Sequence, residues 1–306
     1  MLLLPHYATR ARRVWLVALM ALWAFPLAIA CGQSGSQGGP GPVITTIAPL
    51  GALVAAVAGD HLAVRVLARA GADPHEYEVT ADDRKAISDA RAIFRIGNGI
   101  DDFLDKANPP QSRVTTVTEG LALRAGPEGK GHDPHVWHDI DLDKAMLDRI
   151  AQRLAEIDPL NADAYRANAA AYKATLDETD AEIRGLLDQI PAANRKVVTN
   201  HDAFGYFLDR YGLTFTAAII PGQTTQSEPS AKEIAALIDL IRGEAVKAIF
   251  AESSVDPKVA HELAKDTGVK IVDDLYSDSL GGPGSGAETL HGMLLANAEK
   301  FAEALR

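Results

Sequence analysis

The longest uninterrupted helical pattern lies in the middle of the chain and divides it into two halves. From Asn161 to Gln189 there is no proline and a single glycine, and Pro159 and Pro191 bound the pattern. Residues of one helix face recur there at spacings of three and four: Tyr165, Ala169, Tyr172, Leu176, Thr179, Ile183, Leu186 and Ile190. Twenty-nine helical residues span about 43 Å. Because that is too long for a crossover inside one small domain, the pattern predicts a rigid helix that joins two lobes.

Both halves alternate short β-branched runs with helical stretches. The predicted strands are 43–47, 63–67, 92–96, 114–117, 196–199, 214–220, 246–250 and 269–272, and the predicted helices of the first half are 50–58, 81–90 and 142–157. Strands that alternate with helices favour a mostly parallel sheet covered on both faces. The sequence therefore predicts an α/β protein with an N-terminal lobe (43–158), a linking helix (159–191) and a C-terminal lobe (192–306).

The first thirty residues have the layout of a secretion signal. Three arginines precede an uncharged apolar run, Val14 to Ala30, which ends in small residues before Cys31. A basic start, an apolar middle and a small-residue cleavage site are typical of a signal peptide. Residues 1–30 are therefore predicted to be removed on export, with an uncleaved membrane anchor as the alternative. Residues 31–42 are rich in Gly, Ser and Pro, a composition that predicts a flexible tether.

Cys31 is the only cysteine of the chain, so no disulfide can form within it. Its position directly after the signal predicts attachment of a lipid to its thiol, as in bacterial lipoproteins. We therefore expect the protein on the outer face of the cytoplasmic membrane, at a cell surface or in a periplasm. The same position argues against a cytosolic enzyme that depends on cysteine.

The acidic composition limits the classes of partner. Without residues 1–30, the chain has 27 basic and 41 acidic residues, a net charge of −14. Such a charge repels nucleic acid and anionic lipid and attracts cations, so a nucleic-acid-binding protein is not expected. Solubility of a secreted protein explains the charge equally well. We expect a monomer held at the membrane by its lipid.

A short motif that occurs twice is the most informative feature for function. Asp73-Pro74-His75 is repeated sixty residues later as Asp133-Pro134-His135, and an aromatic residue follows two positions after each histidine. Proline restricts its own backbone and that of the preceding residue, so each histidine is presented from a stiff turn. Two further polar residues follow predicted strands of the second half, His201 and Asp278. Ligand sites of open α/β sheets lie at the carboxyl ends of strands.

These four side chains form a candidate metal site. Three imidazoles and one carboxylate, from His75, His135, His201 and Asp278, make a four-coordinate nitrogen and oxygen set suited to zinc. The alternatives His132 and His138 flank His135, and the spacing alone excludes neither. His61, His261 and His291 are expected to face solvent.

The chain resembles the metal-binding lipoproteins of ATP-binding-cassette importers, the zinc and manganese solute-binding family of cluster A-I. The resemblance covers residues 43–306 and rests on five motifs: Gly71-Ala72-Asp73-Pro74-His75-Glu76-Tyr77-Glu78, Asp133-Pro134-His135-Val136-Trp137, Asn200-His201-Asp202-Ala203-Phe204-Gly205-Tyr206-Phe207, Ser227-Glu228-Pro229-Ser230 and Ser277-Asp278-Ser279-Leu280. It implies two α/β lobes joined by one long helix with the metal between them. The family's ligand positions fall on His75, His135, His201 and Asp278. An import permease is the implied partner.

The resemblance also bears on the metal. Manganese-selective members usually carry glutamate where this chain has His201, and a third imidazole favours zinc. Many zinc-selective members have a histidine-rich loop, whereas Leu121–Gly131 contains no histidine. That absence leaves open whether an accessory protein donates the metal. Zinc is the prediction, with manganese or iron as the alternative.

Two other classes of function are the remaining rivals. A zinc hydrolase needs three protein ligands, an open position for water and a general base. Four converging ligands leave no such position, and Glu76 and Glu252 are more simply solvated or placed behind the metal ligands. A surface adhesin is the other rival. The sequence thus predicts a metal-binding transport protein and no enzyme.

Overall fold

β-Branched segments form two parallel sheets of four strands, one in each half of the chain. The computed structural model describes residues 41–306. The predicted signal peptide and Cys31 lie outside the described residues. The strands are β1 (Val43–Ile47), β2 (Val64–Ala68), β3 (Ala92–Arg95), β4 (Val114–Thr116), β5 (Lys196–Thr199), β6 (Thr214–Ala218), β7 (Ala248–Glu252) and β8 (Lys270–Leu275). The helices are α1 (Ala48–Ala58), α2 (Ala81–Asp89), α3 (Ile140–Ile157), α4 (Ala162–Leu187), α5 (Gly205–Tyr211), α6 (Ala231–Gly243), α7 (Lys258–Thr267) and α8 (Leu290–Leu305).

The two sheets have the same strand order. The first runs β2-β1-β3-β4 and the second β6-β5-β7-β8, and every neighbouring pair is parallel. Parallel neighbours bring the carboxyl ends of their strands to one edge of the sheet, where the loops that follow them meet. The predicted fold class, two parallel-sheet α/β lobes with a long helix between them, is confirmed.

The long helix α4 is somewhat shorter than the pattern predicts. It has 26 residues, about 39 Å, because a separate turn, Pro159–Asn161, precedes it and the chain turns again after Leu187. Its buried face holds Tyr165, Leu176 and Ile183, as predicted, and α4 packs on α1 and α3 of the first lobe and on α8 of the second. Within residues 41–306, no helix combines the length and the apolar content needed to cross a membrane.

A single apolar core extends through both lobes. It runs from the first sheet through α3, α4, α5 and α8 to one face of the second sheet. A smaller core, which includes Ile241, Ile249 and Leu263, fills the other face of the second sheet under α6 and α7. Because the lobes share buried apolar contacts, the edges that carry their loops are held against each other.

One carboxyl group in this core has no hydrogen-bond partner within the described part of the chain. Asp143 of α3 is fully buried, and neither of its side-chain oxygens is bonded. Burial, and to a lesser extent the charge of Asp139, raises the pKa of Asp143 well above its ordinary value. The folded state therefore holds this proton more tightly than the unfolded chain does. Asp143 consequently lowers the free energy of unfolding as pH rises above the ordinary carboxyl pKa of about 3.9.

We expect Asp143→Asn to raise the free energy of unfolding at pH 7, on the order of 1–3 kcal/mol, because it removes the ionisable group. The gain should shrink as pH falls towards the ordinary carboxyl pKa of about 3.9, because the carboxyl of the unfolded chain then becomes protonated as well. Denaturant unfolding at pH 4 and pH 7 measures both values. The matched control is Asp148→Asn on an exposed position of the same helix, which should change stability little at either pH. A gain that does not depend on pH would contradict the assignment.

Candidate metal centre

The four predicted site residues lie at the carboxyl edges of the two sheets. His75 lies in a short turn, Pro74–Glu76, that follows β2, and His135 lies in the connection between β4 and α3. His201 follows β5 almost directly, and Asp278 follows β8. In both Asp-Pro-His motifs the aspartate side chain accepts a hydrogen bond from the histidine backbone N–H, at 2.8 Å for His75 and 3.0 Å for His135. The repeated motif thus forms the same hydrogen bond from histidine to aspartate twice.

The structure brings all four side chains together. One ligand atom from each lies within 4.8 Å of the others. The Nε2 atoms of the three histidines lie 3.4 Å (His75), 3.4 Å (His135) and 3.1 Å (His201) from carboxylate oxygens of Asp278. His135, His201 and Asp278 are fully buried, and the His75 side chain is 8% exposed. A cation at their centre would be enclosed by protein, with His75 at the outer side.

The atoms that face this centre have no hydrogen-bond partner among the described residues. They are Nε2 of all three histidines and both carboxylate oxygens of Asp278. Buried polar atoms are rarely left without a partner, so several of them aimed at one point fit a bound cation. Four donor atoms, three nitrogens and one oxygen, fit a divalent transition metal.

Two of the imidazoles have a carboxylate behind them. Nδ1 of His135 lies 2.8 Å from Oδ1 of Asp133, and Nδ1 of His201 lies 2.7 Å from Oε2 of Glu252. A carboxylate at Nδ1 fixes the ring orientation and leaves Nε2 free to bind metal. Glu252 also accepts hydrogen bonds from the His201 backbone N–H (2.9 Å) and from the Ser277 hydroxyl (2.6 Å), beside Asp278. It therefore positions both site residues of the second lobe.

The electrostatics of the centre favour a cation. Burial alone would raise the pKa of Asp278, but His201 and His135 beside it lower that pKa well below its usual range. Burial opposes a charge on His201 as well, yet Glu252 and Asp278 raise its pKa well above the ordinary value. In the same way, His135 and then Arg124 outweigh burial and lower the pKa of Asp133. Buried carboxylates thus remain ionised around the imidazoles, and positive charge must balance them.

The other histidines do not join this cluster. His132 is exposed, and His138, although buried, packs on Phe204 with 4.8 Å between ring centroids. Burial lowers the pKa of His138 to about 3, so its ring is neutral and part of the core. His61 and His261 are exposed, as expected, but His291 is half-buried against the Tyr172 hydroxyl, 3.2 Å from its Nδ1. Sequence reasoning missed the contacts made by Arg124, for which no motif gives a signal.

Comparison with known proteins agrees with this geometry. The family model described as "Zinc-uptake complex component A periplasmic" matches residues 43–304. The chain belongs to this family. Among solved structures, the periplasmic zinc binding protein TroA from Treponema pallidum is similar with a TM-score of 0.81 and 30% identity, over 87% of this chain and 99% of TroA.

Curated relatives of this family member carry the names of other metals. The "Manganese-binding lipoprotein MntA" of Bacillus subtilis (strain 168) is 35% identical over 263 residues, which cover 82% of this chain and 85% of MntA. The "Iron ABC transporter substrate-binding lipoprotein MtsA" of Streptococcus pyogenes serotype M1 is 28% identical over 294 residues, 91% of this chain and 94% of MtsA. The family thus establishes metal binding, and the choice of metal needs a separate argument.

Trp137 offers an optical probe of the centre. It is fully buried, its ring centroid lies 5.4 Å from that of His135, and its Nε1–H donates to the Ser277 carbonyl at 2.8 Å. The other two tryptophans, Trp15 and Trp23, lie within the predicted signal peptide. The indole therefore contacts both lobes next to two of the four site residues.

We expect the fluorescence of a chain without residues 1–30 to change on addition of Zn²⁺ and to reach a plateau at one equivalent, because metal binding changes the charge beside the Trp137 ring. Titration of the metal-free protein measures the endpoint, and Mg²⁺, which prefers oxygen ligands, should produce no change at the same concentration. A plateau at two or more equivalents would contradict a single centre.

Proposed function

We propose that this protein captures one Zn²⁺ with His75, His135, His201 and Asp278 and delivers it to the permease of an ATP-binding-cassette importer. The observation that carries the proposal is the convergence of three imidazole nitrogens and one carboxylate, all buried and without other partners within the described residues. As a member of its family the protein is an extracytoplasmic metal-binding component of an uptake system.

The relatives support the remaining parts of the proposal. Several are named as substrate-binding lipoproteins of ATP-binding-cassette transporters, which supports a permease as partner and a membrane anchor. Lipid attachment at Cys31 is the corresponding proposal for this chain. The family is one of uptake components, which argues against the zinc hydrolase.

Zinc is favoured over manganese by the donor set. Imidazole nitrogens suit zinc, whereas manganese prefers carboxylate, carbonyl and water oxygens, and divalent manganese is the weaker binder at most sites of this kind. The printed names of the relatives favour manganese or iron as the second candidate. Because both candidates use the same centre, direct competition between the metals decides between them.

We expect the purified, metal-free protein to bind Zn²⁺ at one equivalent and to prefer it to Mn²⁺ by at least about 100-fold in dissociation constant, in line with the order of affinities at nitrogen-rich sites. Chelator competition with each metal, followed by elemental analysis of protein exposed to both, measures the preference. Retention of manganese in the presence of equal zinc would replace zinc by manganese in the proposal and leave the centre as it stands.

The roles of the four ligands can be separated by single substitutions. Asp278→Ala leaves three imidazoles, which hold zinc in many catalytic sites, so we expect weaker but measurable binding with faster release. His135→Ala removes a nitrogen donor and also takes away the imidazole that contacts the buried carboxylate of Asp133. We therefore expect a larger loss of affinity.

Zinc affinity and release rate should be measured for each variant in one buffer. The control is His132→Ala, whose exposed histidine lines the cavity of about 660 Å³ on the outer side of His75 and which should keep wild-type affinity. If His132→Ala weakens binding as much as His135→Ala does, the ligand set must be redrawn.

A further inference from the structure

Arg124 connects the metal centre to a helix of the opposite lobe. It lies in the connection between β4 and α3, and its guanidinium contacts two carboxylates. One Nη1–H donates to Oδ2 of Asp133 at 3.1 Å, and Nε–H donates to Oδ2 of Asp209 at 3.0 Å. Asp133 supports His135, whereas Asp209 is an exposed residue of α5. A chain of contacts thus runs from a metal-facing imidazole to the surface of the second lobe.

The contact with Arg124 gives the buried carboxylate of Asp133 a positively charged partner. The Asp133 side chain is fully buried, and its Oδ1 accepts from the His135 backbone N–H at 3.0 Å and lies 2.8 Å from His135 Nδ1. Its other oxygen, Oδ2, takes the hydrogen bond from Arg124. Removal of one partner from a buried ion pair leaves an uncompensated charge, which the remaining structure must move to satisfy. Without Arg124, Oδ2 of Asp133 loses this hydrogen bond, and the contacts of Oδ1 with His135 are left to orient the carboxylate.

The Arg124 guanidinium packs against the first turn of α5. A Cβ atom built on Gly205 would lie 2.3 Å from Nη1 and 2.5 Å from Cζ of Arg124, so the guanidinium lies where any larger residue would place its side chain. The Tyr206 hydroxyl accepts from the Arg124 backbone N–H at 3.0 Å and donates to the Asp133 carbonyl at 2.9 Å. Two consecutive residues of the second lobe therefore hold both ends of the Arg124–Asp133 pair.

We propose that Arg124 is a positioning residue for metal capture, which holds His135 in its binding orientation through Asp133. That orientation then depends on the packing of the Arg124 guanidinium against the first turn of α5. The inference rests on the proposed function, because it assigns Arg124 to the same metal centre. Arg124 does not contact the metal. It acts on the release of the metal, since a ring that can rotate gives up its ligand atom more readily.

The test compares two substitutions that remove or displace the Arg124 guanidinium with one that does neither. Arg124→Met removes the guanidinium and its charge and keeps an unbranched apolar side chain that matches the first part of the arginine. Gly205→Ala keeps the arginine but fills the space that its guanidinium occupies. Alanine is the better helix former by up to about 1 kcal/mol, so the substitution does not weaken α5 through helix propensity. The matched control is Gly185→Ala in the last turn of α4, where the added Cβ meets nothing within 4 Å. Arg124→Lys restores the charge without the planar fork.

We expect Arg124→Met and Gly205→Ala to bind Zn²⁺ about tenfold or more weakly, the effect usual for residues behind a metal ligand, with most of the loss in the release rate. Arg124→Lys should recover part of the affinity. Gly185→Ala should bind as the wild type does. Metal-free Gly205→Ala should still unfold in one cooperative transition, well above the temperature of the binding assay, which separates loss of positioning from loss of folding. Chelator competition, stopped-flow release into excess chelator and thermal unfolding of the metal-free proteins supply these readouts.

Wild-type affinity and release in both Arg124→Met and Gly205→Ala would overturn the inference, as would an equal loss in Gly205→Ala and Gly185→Ala. If the wild-type protein itself binds no metal, the proposed function fails. If it binds metal and the variants match it, the role of Arg124 alone is rejected.

Discussion

A carboxylate buried between two lobes is the constraint on which this structure depends. Asp278 is fully removed from solvent, with three imidazoles within 3.4 Å of its oxygens. An isolated buried charge is costly, and it is tolerated when paired or bound to a metal. His75 and His135 come from the first lobe, whereas Asp278 and His201 come from the second. The second lobe thus supplies Asp278 and its nearest imidazole, and the first lobe completes the set of donors around the carboxylate.

Polar contacts around the centre hold the two loop edges together. Besides the bond from Trp137 to Ser277, the Thr225 hydroxyl donates to Asp73 at 2.6 Å, and the Gly71 N–H donates to the Ser279 hydroxyl at 2.5 Å. Each of these bonds joins the first lobe to the second. Each also lies within two residues, along the chain, of one of the four site residues. Together with the shared apolar core, they hold the two loop edges of the centre against each other.

The sequence predicted those features that depend on local pattern. The β-branched runs gave β1 and β5 with their observed bounds, and the prolines of the repeated motif marked both histidine turns. The role of Arg124 could not be predicted, because its partner Asp209 is brought to it by the packing of the lobes, 85 residues along the chain. Burial of His138 and Asp143 could not be predicted from the sequence either, since both are polar residues that tertiary packing places in the core.

The carboxylates behind the imidazoles also bear on the choice of metal. Asp133 and Glu252 contact the Nδ1 atoms of His135 and His201, which makes the Nε2 atoms better donors to any metal that accepts nitrogen well. Nitrogen donors raise affinity along the series from manganese to zinc, whereas oxygen donors suit manganese better. We therefore expect these two carboxylates to strengthen the binding of zinc by the three imidazoles more than that of manganese. Relatives named for manganese or iron are similar in sequence over most of this chain, so we expect its selectivity to reside in the donor atoms and the groups that orient them.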